Sequence, residues 1–468
     1  MYLTALTISC KMATVLELIS KYVAYPLSDW RESAVRLREL RELEKSQYLE
    51  LKDLRVLQSA KLRRLLKHAM GTCDFYREKY ADLAVDAANI SIEELSRLPL
   101  LTKAEVRNRS SDMLSSAIPR DALFESRTGG STGKALVLHF DKRCQEMRNA
   151  ASMRADRWSG WDLGEMTAAV WGNPPYPETW RARFRNLLLE RTMYLDTMQM
   201  SPESVQAFAE EWRARRPAII FGHSHSVYIL AKFIDDLQIL GVRPRAVIST
   251  SMMLLPNERA VIERVFSCRV FNKYGCEEVG LIASECEVHD GMHVNEEHVI
   301  VECVDDEGRP VDNGVPGNIV VTDLSNFGMP MIRYRIEDVA VMSAGACSCG
   351  RGSRRIQALV GRVADFLVRQ DASLVAGVSL VERTLTSIPG LDQMQIVQNQ
   401  LDEIQISVVP GAAYNEASRR ALEDEFRQVF GESVRLEIRK VEAIPQEGNG
   451  KYRFSICKVP ALKPSATA

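Results

Sequence analysis

Leucines recur at helical spacing between Trp30 and Met70, first Leu37, Leu40 and Leu43, then Leu54, Leu57, Leu62, Leu65 and Leu66, among Arg, Lys and Glu of both signs. A step of three to four residues lines them on one face, so two packed helices are predicted. Glu39, Glu42, Glu44 and Glu50 interrupt the basic residues and make the other face a solvated one instead of a basic patch. Upstream, the apolar stretch 13–27 is broken by Glu17, Lys21 and Pro26 and is too short to cross about 30 Å of hydrocarbon. It is predicted to be an amphipathic helix lying over the core, which makes residues 1–70 a helical N-terminal segment.

Beyond residue 160 the period changes. Apolar strands at 166–171, 218–221, 246–250 and 269–274 alternate with amphipathic helices at 204–215, up to Leu240 and from Asn257, the pattern of an α/β layer. From Val294 the texture turns to short β-runs broken by Asp-Glu-Gly and Pro-Gly turns, which predicts a β-rich lobe at about 294–345 attached to the α/β core. After Gly361-Arg362 come a helix at 380–385, strands at 394–397 and 404–409, a helix at 417–430 and a strand at 434–441. The fold class expected is α/β, with a large N-terminal domain over 1–361 and a small α+β domain over 362–468.

Charge narrows the partners. Sixty Lys and Arg against 62 Asp and Glu give a net charge of -2, so no long-range field draws the chain to nucleic acid. Ten cysteines in 468 residues form no secreted disulfide framework, and no basic residue precedes the apolar run Tyr2–Cys10, with Met12 an alternative start. A reducing cytoplasm is expected, with no integral membrane association; a homodimer is left open.

The strongest local signal is Arg127-Thr128-Gly129-Gly130-Ser131-Thr132-Gly133-Lys134, where three glycines free the backbone to wrap an anion while hydroxyls and a lysine add donors. It is not a Walker A loop, because Thr128 stands where the first glycine would be and Ala135 replaces the magnesium-binding Ser or Thr. Four more segments follow in order: Tyr274-Gly275-Cys276-Glu277-Glu278, Tyr334-Arg335-Ile336-Glu337-Asp338, Gly361-Arg362-Val363-Ala364-Asp365 and Gly448-Asn449-Gly450-Lys451-Tyr452-Arg453. Tyr274-Gly275 ends a predicted strand, which puts Glu278 at the carboxyl edge of the sheet, where open α/β folds bind ligands.

Together these five segments resemble the adenylate-forming acyl-ligase superfamily, and within it the phenylacetate-CoA ligase and capsular-biosynthesis branch, over most of the chain. The resemblance implies a two-step reaction using ATP, magnesium and coenzyme A, in which a carboxylic acid becomes an acyl-adenylate and then a thioester. It also implies roles. The Thr128–Lys134 loop holds phosphates, Ser251 lies in the adenine-bracketing segment, Tyr274 lines the nucleotide site, Glu278 holds magnesium, Asp338 and Arg362 bind ribose, Lys451 drives adenylation, and Asp365 is the hinge of a mobile C-terminal domain. Glu277 replaces a more usual threonine and Ile336-Glu337 a Thr-Gly pair, so Glu277 is left out of the catalytic set. The acceptor stays open between a thiol, an amine and a carrier protein, and a non-catalytic nucleotide-binding scaffold is the reading of another class.

Trp171, Tyr176, Phe221 and His223 are candidate walls of an acyl pocket, whose aromatic character suits an aryl or otherwise apolar acid; core packing is the other reading of Trp171 and Phe221. Cys286, His289, Cys347 and Cys349 form a Cys3His set that can close a tetrahedral, structural zinc site, with His293 and Cys303 as spare ligands. Three buried thiols and a surface histidine are the alternative.

Overall fold

Eleven strands form one sheet in the computed structural model, which describes residues 15–83, 86–127, 136–172, 174–197, 200–362, 366–371, 374–445 and 453–459. A hairpin of β1 (Leu123–Arg127) and β2 (Val137–Asp141) stands apart from it. The sheet begins with the parallel strands β3 (Thr167–Trp171), β4 (Thr192–Asp196), β5 (Ile219–His223), β6 (Ala246–Thr250) and β7 (Arg269–Cys276). It continues through β8 (Gly280–Glu285), β9 (Met292–Val294), β10 (Val299–Val304), β11 (Pro316–Asp323), β12 (Tyr334–Met342) and β13 (Arg355–Arg362), in the order β10-β11-β12-β13-β9-β8-β7-β6-β5-β3-β4.

The parallel part is covered by helices, as the apolar residues of β5, β6 and β7 require. Val205, Phe208 and Trp212 of helix Pro202–Arg215, and Val227, Leu230 and Ile234 of helix Ser224–Asp236, pack on Ile220, Val247 and Val270. Under the antiparallel part, Leu62, Leu65 and Leu66 of helix Leu51–Thr72 meet Val299, Val301, Val321 and Ile332. The β-rich lobe expected at 294–345 is present as β10, β11 and β12, which continue the same sheet because the β7–β8 hairpin reverses the chain without breaking the ladder. That reversal needs Gly275, where a Cβ would lie 2.5 Å from the Gly280 carbonyl oxygen.

The N-terminal segment meets expectation in part. Residues 15–31 are helical through a π-turn at Ser20–Ala24, and Tyr25 packs on the cluster of Leu40, Leu43 and Ala150, but most of the apolar stripe faces solvent and polar residues share the face toward the protein. Lys21 pairs with Asp162 at 2.5 Å, and Asp29 takes the Leu37 amide at 3.1 Å and the Arg36 guanidinium. Leucines of the next two helices, Arg36–Ser46 and Leu51–Thr72, do supply core, as read from the sequence.

A second, smaller sheet follows. Strands β14 (Phe366–Val368) and β15 (Leu374–Ala376) pair with each other, and β16 (Leu391–Gln400), β17 (Glu403–Pro410), β18 (Arg435–Lys440) and β19 (Ser455–Cys457) are ordered β18-β17-β16-β19. Helices Gly377–Ser387 and Glu416–Phe430 bury Leu380, Val381, Leu422 and Phe426 against Ile396, Ile404 and Ile406. Leu255 of the large domain enters this core.

Candidate active site and thiol cluster

Strands β7 and β12 bring the nucleotide-motif residues together. The Tyr274 hydroxyl donates to Asp338 Oδ2 at 2.6 Å, and Asp338 is the register partner of Arg362, the last residue of β13, whose backbone is described. Beside them the Tyr334 hydroxyl donates to Glu278 Oε1 at 3.0 Å, both residues being buried. Burial first, and then the Glu278 carboxylate, push the Tyr334 phenol far above its usual range, so it remains a donor.

Arg148, on helix Lys142–Trp158, braces this corner. Its Nη2 donates to the Glu278 carbonyl at 2.8 Å and to Asp323 Oδ2 at 2.9 Å, and its guanidinium lies 4.6 Å from the Phe140 ring centroid. No local motif marks Arg148. Glu277, set aside as catalytic, accepts from Ser126 Oγ at 2.5 Å and so points to the loop end of the β1–β2 hairpin.

The end of β6 bends where the adenine segment was expected. Ser224 Oγ lies 2.7 Å from Ser249 Oγ and donates to the Met252 carbonyl at 3.0 Å, while Ser251 takes a left-handed φ of 66°. Ser224 thus serves the bend, and His225 pairs with Glu258 instead of Ser224, which leaves no hydrolase triad among these residues. Thr128–Lys134, Asp365 and Lys451 lie outside the described residues. Of their described neighbours, Arg127 pairs with Val137, and Arg453 lies at β16, where its carbonyl accepts from Gln395 Nε2 at 2.7 Å.

A cavity of about 320 Å³ opens between helix Lys142–Trp158 and the adjoining face of β3, β4 and β5. Trp171, Phe221 and Tyr194 supply aromatic wall, and Ser152, Asp156 and Thr192 supply polar wall. Of the residues expected there, Trp171 and Phe221 line it with rings 5.7 Å apart and 7° from parallel. His223 lies against Trp171 at 3.9 Å and exposed Tyr176 meets Tyr194 edge-on at 5.7 Å, so both abut the lining. Asp156 was not foreseen; Lys273 Nζ reaches it at 2.5 Å from β7.

The cysteines converge elsewhere. Ligand atoms of Cys286, His293, Cys347 and Cys349 all lie within 4.8 Å of one another. Cys286 and Cys347 sulfurs are 3.8 Å apart and unbonded, and Cys349 Sγ is 3.2 Å from His293 Nε2. A tetrahedron with zinc–sulfur bonds of about 2.3 Å has an edge of about 3.8 Å, so the residues fit a zinc ion. His289 is corrected: it turns to Glu285 Oε2 at 3.3 Å and packs on Phe271, and His293 takes its place. Ser353 Oγ sits 3.0 Å from His293 Nδ1, which orients the ring. Burial and then Arg351 and Arg355 push the His293 imidazole down to about 4, so it is neutral and able to ligate. Burial raises the Cys286 thiol to about 12, whereas Cys349, against its burial, is held below the usual thiol value by hydrogen bonds with Arg351. Cys303 stays apart, its sulfur 3.9 Å from the Ala340 carbonyl.

Comparison with known proteins places this arrangement. Residues 367–458 match the model of the CapK C-terminal domain. A phenylacetate-coenzyme A ligase of Thermus thermophilus is 26% identical over 406 residues, 81% of this chain and 86% of the relative. Protein CapK of Staphylococcus aureus is 22% identical over 415 residues, 87% and 90% of the two chains. Among solved structures, a 2-hydroxyisobutyryl-CoA ligase in the postadenylation state with an acyl-AMP is 19% identical with a TM-score of 0.71, covering 89% of this chain and 92% of the other. The same ligase in its thioesterification state gives a TM-score of 0.57. The chain is thus a homologue of the phenylacetate-coenzyme A ligases and CapK, with the fold of the adenylate-forming coenzyme A ligases and a CapK C-terminal domain at its end.

Proposed function

We propose that this protein activates a carboxylic acid with ATP and passes the acyl group to the thiol of coenzyme A. The observation that carries the reading is Asp338, oriented by Tyr274 and paired in register with Arg362, beside the buried Glu278–Tyr334 pair at one corner of the sheet. A carboxylate oxygen of the acid attacks the α-phosphorus, the bond to the β-phosphate breaks, and pyrophosphate leaves. The coenzyme A thiolate then attacks the acyl carbonyl and AMP departs.

Each residue has a task in positioning or charge neutralisation. Asp338 and Arg362 hold the ribose, the bend at Ser251 flanks the adenine, the Thr128–Lys134 loop holds the leaving pyrophosphate, and Lys451 screens the two anions as they meet. Magnesium, held through Glu278, would neutralise phosphate charge. Tyr334 occupies one of the carboxylate's lone-pair positions, so the group still has capacity for a cation. Asp365 is the pivot on which the C-terminal domain turns between the half-reactions.

The cavity takes the acyl tail, its Trp171 and Phe221 walls suiting an aryl or otherwise apolar acid. Cys286, His293, Cys347 and Cys349 hold a structural zinc, which leaves no slot for substrate. No disulfide joins the described cysteines, in keeping with a reducing cytoplasm.

Pyrophosphate release with ATP and a panel of carboxylic acids tests the first step, and adding coenzyme A tests the second. Release followed by thioester is expected. No release with any acid leaves a nucleotide-binding scaffold, and release without thioester redirects the acyl group to an amine or carrier protein.

A further inference from the structure

The helix over residues 15–31 is inside out. Leu18, Ile19, Tyr22, Val23, Leu27 and Trp30 recur every three to four residues, and their exposures run from 38% at Ile19 to 78% at Trp30. The opposite side carries Glu17, Lys21 and Asp29, engaged with Arg191, Asp162 and Arg36. The polar anchors, together with Tyr25 packed against the cluster of Leu40, Leu43 and Ala150, hold the face toward the protein and leave the remaining apolar stripe outward.

A second helix repeats the pattern beside it. Helix Trp180–Arg185 runs on into a π-turn at Asn186–Glu190, which packs against the π-turn of the first helix. It exposes Trp180, Phe184 and Leu187 at 73%, 58% and 42%. Scattered exposed apolar residues are ordinary, but two adjacent helices with outward stripes make a patch. Arginines interleave with it. Arg181 lies over the Trp180 ring, Arg183 donates to the Pro177 carbonyl, both are exposed, and neither makes an ion pair among the described residues.

We infer that this face seats the protein on an anionic lipid bilayer. The two helices lie in the headgroup plane, with aliphatic side chains at the acyl boundary, Trp30, Trp180 and Tyr22 at headgroup level, and Arg181 and Arg183 on lipid phosphates. No helix among the described residues is long and apolar enough to cross a membrane, so the attachment is peripheral. A second copy is the poorer occupant, because a two-fold contact sets each patch against itself and brings both pairs of arginines together.

Flotation of the full chain with vesicles tests this. Recovery with phosphatidylcholine vesicles containing phosphatidylglycerol is expected to exceed that with phosphatidylcholine alone by about tenfold, and to fall as salt screens the arginines. Tyr22→Ser with Trp30→Ser, and separately Arg181→Glu with Arg183→Glu, should each cut recovery about tenfold at an unchanged melting temperature. Three results overturn the inference: no flotation with either vesicle, a solution dimer that Tyr22→Ser with Trp30→Ser dissolves, or binding that arises only when residues 1–14 are deleted. The second makes the face a contact between copies, and the third makes that segment its occupant.

Discussion

Tyr274 and Asp338 lie 64 positions apart in the chain, yet the phenol of one donates to the carboxylate of the other at 2.6 Å. The bond joins the end of β7 to β12 and fixes the carboxylate before any ligand arrives. Tyr274→Phe removes it without changing the ring. A hydrogen bond to a charged group is worth about 1.5–3 kcal/mol, so KM for ATP should rise about tenfold or more, with kcat within about twofold. Pyrophosphate release at varied ATP measures both, and an unchanged KM would detach Asp338 from the nucleotide.

Lys451 is assigned to the moment when acid and α-phosphate meet. Lys451→Ala should therefore lower adenylate formation by about 10²-fold or more, while ATP binding and the conversion of a synthetic acyl-adenylate to thioester persist. Pyrophosphate release at the wild-type rate would take Lys451 out of the chemistry.

The thiol cluster offers a test with an internal control. Protein purified without chelator should carry about one zinc per chain. Cys347→Ser with Cys349→Ser, and His293→Ala alone, should lower both zinc content and melting temperature, whereas His289→Ala should keep the metal. Equal zinc loss from both histidine variants would return the fourth ligand to uncertainty, and metal-free wild type would end the assignment.

His298 gives stability a pH dependence. It is fully enclosed, and burial, then Lys61, push its imidazole down to about 3 from an ordinary 6.5. The unfolded chain binds the proton first, so this contribution is complete above about pH 6.5 and is lost as pH falls through that window toward 3. One proton is worth about 1.4 kcal/mol per pH unit. His298→Gln should flatten the pH dependence of urea unfolding between about pH 6 and 4 by up to that slope; the same slope in the variant would shift the cause to carboxylates such as Glu297.

Parallel strands were legible because β5 and β6 open on the apolar runs Ile219–Phe221 and Ala246–Ile248, whereas β4 escaped notice since Thr192 and Tyr194 alternate polar atoms with Met193 and Leu195. Strand β19 is three residues long and is defined by its partner in β16. The histidine of the thiol cluster shows the limit most clearly. Nearness in sequence favours His289, three residues after Cys286, but register decides: β9 pairs His293 with Arg355 on β13, next to the loop that carries Cys347 and Cys349. Arg148 was hidden for a similar reason, since helix spacing says only which face it shares, and its partners Glu278 and Asp323 come from β-hairpins far along the chain.

Strand β13 is eight residues long and is held at both ends, by His293 opposite Arg355 and by Asp338 opposite Arg362. It is a short lever with its heel at the thiol cluster and its tip at the nucleotide corner. The same eight residues therefore tie the spacing of the two sites together. Closing the cluster on a metal would stiffen that heel, and with it the strand that sets Arg362 opposite Asp338.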